Sequence, residues 1–232
     1  MVALAVSERL RFADRATNLL DRVDYRLADL PEEKEAIYRL RYSAYLREGA
    51  IDAHFSRRFA DEFDESPNVQ CFGVYIDGRL ASSMRLHIAT RDCPVMPAMR
   101  PFPDFLESEL AAGKTIIDPT RFVTDLDASR AYPELPYATI RLALAASEFY
   151  GADLLLATVR KEHQAFYRRV LGHELICEVR PYPTLKKPLS LMSLAYQQER
   201  HTVLARYPFF HTTAFERRML FGRAPVAHRQ AA

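Results

Sequence analysis

The chain has no tryptophan, and among its 232 residues there are only seven glycines and three cysteines. Cys71, Cys93 and Cys177 lie far apart with neither CxxC nor Cys/His ligand spacing, so the sequence offers no metal site and no disulfide framework. Buried thiols in a reducing compartment are the expectation, which places the protein in the cytoplasm. No apolar run approaches the roughly eighteen residues of a membrane span, and Val2–Val6 is too short and lacks the basic flank of a signal peptide, so no transmembrane segment is expected. A formal net charge of +2 gives no bulk attraction to polyanions. No basic stripe is interleaved with stacking aromatics, so nucleic acid is not an expected partner. Repeats and low-complexity linkers are also missing. The glycine scarcity is the most informative: none occurs between Gly113 and Gly151.

What is present is ordinary for a globular protein, with 49% hydrophobic and 27% charged residues. This length suits one domain spanning 1–232, with a core of about 24–196 and helical appendages at 1–22 and 197–232. Leu30-Pro31 followed by Glu32 and Glu33 marks a helix start, and apolar positions Ile37, Leu40 and Ala44 carry that helix to about Glu48 before Gly49. From Gly49 to Pro67 charges dominate, and a partly helical excursion is expected there. Two apolar runs flank Asp77-Gly78, the preferred pair for a two-residue type I′ turn, which predicts a β-hairpin over Gln70–Ile88. Residues 92–103 and 128–136 are loops in this reading. Helices are expected over Tyr137–Tyr150 and Lys161–Leu171, and strands over Asp153–Val159, Leu175–Val179 and Ser190–Ala195.

The chain is organised around Lys114–Asp125, a β-branched run in which Asp118 and Arg121 stand three residues apart. Strand side chains alternate faces, so these two share a face only if the alternation breaks between them. Pro119 sits where that break is expected, since proline is confined to strand edges and bulges. A bulge beside a charged pair points to an active site; an exposed edge strand with a surface ion pair reads the same residues equally well. Asp61 and Asp64 would share a helical face, either as a solvated acidic surface or as part of a site. Arg85, alone in its strand, reads locally as solvent-facing.

The order strand, helix, hairpin, strand, helix, strand, helix, strand, strand implies an α/β fold, a mixed central sheet with helices on both faces and a splayed or bulged central strand. That order resembles the Gcn5-related N-acetyltransferase superfamily, with His163-x-x-Phe166-Tyr167 and Leu171-Gly172 looking like its final helix. A glycine-rich turn that holds the coenzyme A pyrophosphate in that superfamily has no counterpart here, which favours a donor held by its pantetheine arm, as on acyl carrier protein. Arg41-Tyr-Ser-Ala-Tyr45, Asp61-Glu-Phe-Asp64, Ser83-Met-Arg85-Leu86 and Asp118-Pro-Thr-Arg121-Phe122 resemble, in order and spacing, the acyl-homoserine-lactone (autoinducer) synthases. Closer still are their relatives, the N-acyl amino acid synthases that use acyl-acyl carrier protein. Tyr45 stands where the autoinducer synthases carry phenylalanine, Ile51 near their tryptophan, and Asp118 in place of their glutamate, departures that favour the amino acid branch.

The resemblance implies transfer of a fatty acyl group from acyl-acyl carrier protein, or acyl coenzyme A, to an amino acid amine, with no permanently bound cofactor. Asp118 is then the candidate general base, Arg121 its charged neighbour, and Tyr167 the group that protonates the departing thiolate. Arg41, Tyr45, Asp61, Asp64, Arg85 and Phe122 would bind substrate, guanidinium groups pairing with the carboxylate of a zwitterion and carboxylates with its ammonium. The loop Val95–Phe105 would wall an acyl tunnel. Arg160, Lys161, Arg168 and Arg169, with Lys186 and Lys187, would meet an acidic carrier protein. Two alternatives stay open: autoinducer synthesis from S-adenosylmethionine, and a non-catalytic acyl-ligand binding module on the same fold.

Overall fold

A computed structural model describes residues 12–182 and 184–222. Its centre is a seven-stranded sheet in the order β1-β2-β3-β4-β5-β7-β6, formed by β1 (Val23–Leu27), β2 (Val69–Ile76), β3 (Arg79–Ala89), β4 (Ile116–Thr124), β5 (Leu154–Val159), β6 (Glu174–Arg180) and β7 (Leu189–Ala195). All neighbours are antiparallel except β4 and β5. The β2–β3 hairpin turns at Asp77 and Gly78 with φ of 49° and 79°, the pair of left-handed residues that a type I′ turn requires.

Helices cover both faces. On one side lie α2 (Pro31–Arg47) and α3 (Pro103–Ala111); on the other, α1 (residues 12–20), α5 (Leu135–Phe149), α7 (Tyr196–Arg206) and α8 (Ala214–Phe221). Two further helices are short, α4 (Leu126–Ala131), which packs against β3, and α6 (Gln164–Leu171). Helix α5 is buried around most of its circumference, as its Ala- and Leu-rich sequence allows. It meets the sheet through Thr139, whose hydroxyl donates to Ser82 Oγ at 2.9 Å. Ala16 and Leu19 of α1, Val203 of α7 and Phe221 of α8 belong to the same core as Phe72, Met84 and Ile117 of the sheet. The segments read as appendages therefore pack into the main core, while 1–11 and 223–232 lie outside the described residues.

Several local expectations are refined or corrected. The excursion after Gly49 is partly helical only in its 3-10 helix at Glu62–Glu65, which fits the expectation, and it forms no α-helix because it has too few apolar residues to anchor one. The loop expected at 128–136 contains α4, capped by the Asp125 carboxylate on the N-H groups of Asp127 and Ala128. Val95–Phe105 is no tunnel wall: Met96, Ala98 and Phe102 are buried against Ile116 and Leu156 in a second core under α3.

Candidate active site

Strand β4 holds the break in alternation, two residues beyond Pro119. Ser83 pairs with Val123 and Arg85 with Thr120, so Met84 opposes both Arg121 and Phe122. Arg121 is the bulged residue, with φ of 54°, a left-handed conformation that a non-glycine side chain occupies at some cost. The extra residue turns the Arg121 side chain to the face that Asp118 and Thr120 already occupy. Pro119 remains in register opposite Leu86, so the proline marks the region of the break and not its position.

Beside the bulge the sheet opens. β4 and β5 pair only at Ile116 with Leu154 and Ile117 with Leu155, whereas β3 stays with β4 to Thr124 and β5 stays with β7 to Val159. Beyond Ile117 the strands diverge around a cavity of about 600 Å³. Its walls are Pro119–Thr124 of β4, Leu156–Arg160 at the end of β5, and residues of α2, α5 and α6. Tyr45, Phe122, Phe166 and Tyr167 supply an aromatic lining. Tyr167 is held away from ionisation, first by burial and then by its neighbour Tyr45, so it stays protonated at neutral pH.

Behind this wall lies a buried charge network on the α2 face. Arg41 Nη1 donates to Asp64 Oδ1 at 2.7 Å and its Nη2 to Cys71 Sγ at 3.0 Å. Arg85 holds Asp61 with both terminal nitrogens, at 2.5 and 3.3 Å, approaches Asp64 at 3.0 Å, and donates from Nε to Thr120 Oγ1 at 3.1 Å. Arg121 also donates to Asp61, and to Thr184 Oγ1 at 2.9 Å, with its guanidinium 4.6 Å from the Phe59 ring and 5.5 Å from Tyr45. The two aspartates are presented by the 3-10 turn: Asp61 caps Phe63 N-H, and Asp64 accepts from Asp61 N-H. Burial opposes charge on both, yet the hydrogen bond from Arg85 and the charge of Arg121 hold Asp61 well below the usual carboxylate range. Charges of Arg41 and Arg85 do the same for Asp64.

Arg85 is therefore fully buried, and Asp61 and Asp64 are not a solvated face. Of the three arginines in the network, only Arg121 lines the cavity; Arg41, Asp61, Asp64 and Arg85 stand behind it.

Asp118 occupies a different environment on the same face. It is fully buried, opposite His87, with Oδ2 accepting from Ala98 N-H at 3.0 Å and Oδ1 without a hydrogen-bond partner. Burial pushes its carboxyl up to about 7, only partly offset by the Ala98 bond, the charge of Arg85 and the neighbouring Thr158 hydroxyl. His87 is driven down to about 3 by burial and then by Arg85, so it is neutral beside Asp118.

The basic residues divide by position. Arg160 lines the cavity and pairs with Glu48 and Glu162. Lys161, Arg168 and Arg169 are exposed on the outer surface around α6. Lys187 reaches the cavity, and Lys186 lines a second groove of about 750 Å³ with Asp52, His54, Arg58 and Phe59. Sequence reasoning missed Phe59, Thr120, Thr158 and Thr184. Thr120 sits inside the Asp118–Phe122 motif as an unremarked polar residue, while the other three lie outside the charged motifs and only their positions in the folded chain bring them there. Among the described residues, no group of three or more His, Cys, Asp or Glu side chains is placed to hold a metal, and no helix is long and apolar enough to cross a membrane.

A family model described as "N-acyl amino acid synthase FeeM" matches residues 36–195. No curated protein sequence matches the chain. The structure of FeeM, an N-acyl amino acid synthase from uncultured soil microbes, superposes with a TM-score of 0.66 at 22% identity over 80% of this chain and 97% of that one. An acyl-CoA N-acyltransferase from Pseudomonas aeruginosa gives 0.51 at 21% identity, over 75% and 99%. The acyl-homoserine-lactone synthase LasI gives 0.57 at 13% identity, over 77% and 94%. These likenesses establish the fold, a mixed α/β acyltransferase sheet with helices around it.

Proposed function

The chain belongs to the FeeM family of N-acyl amino acid synthases and is an N-acyltransferase, and from that premise we propose that it moves a fatty acyl group from acyl-acyl carrier protein to the amine of an amino acid. The observation that carries this reading is the gap between β4 and β5, which opens beside a carboxyl whose proton affinity is matched to neutral pH. Diverging strand edges leave main-chain groups able to pair with an extended pantetheine arm, and the aromatic cavity between them suits an acyl chain.

The end of β4 supports a carrier-protein donor. There, α4 begins on the Asp125 carboxylate, which already takes the N-H groups of Asp127 and Ala128. Helix α5 begins at Glu134, with Pro136 lacking an N-H in its first turn. A pyrophosphate would meet carboxylates and a missing donor where an anion cradle needs free N-H groups and positive charge. A carrier protein carries its phosphopantetheine phosphate outside the pocket, and exposed Lys161, Arg168 and Arg169 offer complementary charge to an acidic partner.

For the acceptor, Arg121 receives the carboxylate at the cavity wall, held in place by Asp61 and, behind it, by Arg85, Asp64 and Arg41. Tyr45 and Phe122 confine the reacting carbons. Asp118 takes the ammonium proton, N-H groups at the bulge hold the tetrahedral oxyanion, and Tyr167 protonates the leaving thiolate.

The test is incubation of the protein with acyl-acyl carrier protein and mixed amino acids, followed by mass spectrometry. An N-acyl amino acid together with free carrier-protein thiol supports the reading. Release of methylthioadenosine from S-adenosylmethionine would assign autoinducer synthesis instead. Equal turnover with acyl coenzyme A would remove the carrier preference, and bound acyl donor without any product would leave a binding module.

A further inference from the structure

The nominated base does not reach the cavity: Asp118 is fully buried and is not among the residues lining it. Something must connect the two. The parallel pairing of Ile116 with Leu154 and Ile117 with Leu155 puts Asp118 and Thr158 on one face of the sheet, since side chains alternate along both strands. Leu156, on that same face of β5, and Ile116, on that face of β4, share the core under α3. Thr158 lies two residues past Leu156, where β5 has left β4, and it lines the cavity. Its Oγ1 is buried without a close hydrogen-bond partner, and so is Asp118 Oδ1. Two buried polar atoms without a close partner on neighbouring strands call for an explanation, because a folded chain rarely leaves such groups unsatisfied.

We propose that the Thr158 hydroxyl is a proton relay between the acceptor amine in the cavity and Asp118, an inference that rests on the acyl-transfer reading above. The ammonium N-H bond breaks and its proton joins Thr158 Oγ1. The hydroxyl's own proton passes to Asp118 Oδ1, and nitrogen keeps the electron pair with which it attacks the thioester. When the carbon–sulfur bond breaks, nitrogen sheds a second proton as the amide forms and the thiolate takes one up as thiol, so protons and electrons balance. At rest the hydroxyl stands beside Asp118 as a hydrogen-bonding neighbour, near enough to favour the ionised carboxylate against burial. The relay also explains a base sealed from solvent. Burial raises proton affinity toward neutrality, and a hydroxyl carried by a residue of the cavity wall restores access.

The experiment compares wild type with Thr158→Val, which keeps the shape and removes the hydroxyl, and Thr158→Ser, which keeps the hydroxyl. Each is assayed with acyl-acyl carrier protein and two acceptors: the preferred amino acid, and its weakly basic amino nitrile, which arrives largely uncharged at pH 7. With the amino acid, Thr158→Val falls on the order of 100-fold in kcat/KM and Thr158→Ser recovers most of that loss. Toward the nitrile the wild-type-to-Val ratio collapses to about 3-fold or less, since no proton need be removed. Wild-type kcat/KM levels off near the Asp118 value of about 7, whereas Thr158→Val climbs with pH without that plateau. Equal losses with both acceptors would make Thr158 a packing residue and overturn the relay, as would an unimpaired Val variant with an unchanged pH profile. A wild-type enzyme that acylates neither acceptor condemns the reaction itself; an active wild type with an indifferent Val variant condemns only the relay.

Discussion

Replacing Asp61 with asparagine is the most direct perturbation of the charge network, because it removes one charge while nearly preserving shape. Asp61 faces Arg85 and Arg121 together and has a side chain only 6% exposed. With its charge gone, Arg41, Arg85 and Arg121 remain buried against Asp64 alone, three positive groups to one negative. Stranding a buried charge in this way costs about 3–5 kcal/mol, most of it desolvation that nothing then offsets. In a protein of this size, 1 kcal/mol corresponds to roughly 2–4 °C, so the melting temperature falls by about 6–20 °C. The Asp52–Lys186 pair supplies the control, both partners being largely exposed, and Asp52→Asn costs at most about 1 kcal/mol.

Acid titration adds a second readout. Asp61 and Asp64 both have folded-state values below their unfolded ones, so their contribution is present above about pH 4 and is lost as pH falls below it. Asp61→Asn shows a smaller loss of stability on acidification than wild type. Urea denaturation at several pH values measures both effects. A destabilisation below about 1 kcal/mol with an unchanged acid limb would show that the arginines do not depend on this carboxylate, and the account of the network would fail.

Asp118→Asn lowers kcat on the order of 10²- to 10⁴-fold in a single-turnover acyl-transfer assay. The same substitution stabilises the fold at pH 7: the carboxyl's folded-state value is raised, so wild type loses stability between about pH 4 and pH 7 and the amide does not. Arg121→Lys gives up simultaneous contact with Asp61, Thr184 and the Phe59 ring. KM for the amino acid rises about 10- to 100-fold with kcat less affected, and equal losses in both would reassign the residue to chemistry. Arg168→Glu with Arg169→Glu, on exposed side chains that make no ion pair among the described residues, raises KM for acyl-acyl carrier protein about tenfold at low salt. The difference should vanish at high ionic strength, and a salt-independent effect would refute an electrostatic docking role.

The parts of this molecule that could be read in advance are those whose cause is local. Asp77-Gly78 needs only its own backbone preferences to turn a hairpin, and the buried run Leu154–Val159 needs only its composition to become an inner strand. The bulge was legible as a necessity, since Asp118 and Arg121 cannot otherwise share a face, but not as a position. Pro119 stays in register and Arg121 takes the strained conformation, because partners on three other elements fix its guanidinium. Burial of Arg85 was illegible for the same reason: its neighbours Met84 and Leu86 say nothing of Asp61, twenty-four residues earlier. Thr158 carried no signal, since a threonine near the end of a leucine-rich strand is ordinary strand vocabulary and acquires meaning only beside a buried carboxylate. Lys161, Arg168 and Arg169 were found as charges, while the separation of Arg160 and Lys187 onto the cavity wall required the fold.

One extra residue in the middle strand has a consequence for how such a chain can change. Deleting Phe122 would restore strict two-residue periodicity at the cost of one partly buried ring, leaving the hairpin turn, α5 and the core under α3 in place. The fold would survive such an edit better than the chemistry, since Arg121 would swing to the opposite side of the sheet and abandon Asp61. Insertions and deletions here thus act as an on-off control for activity, and a shortened natural variant would be expected to persist as a folded but catalytically silent protein.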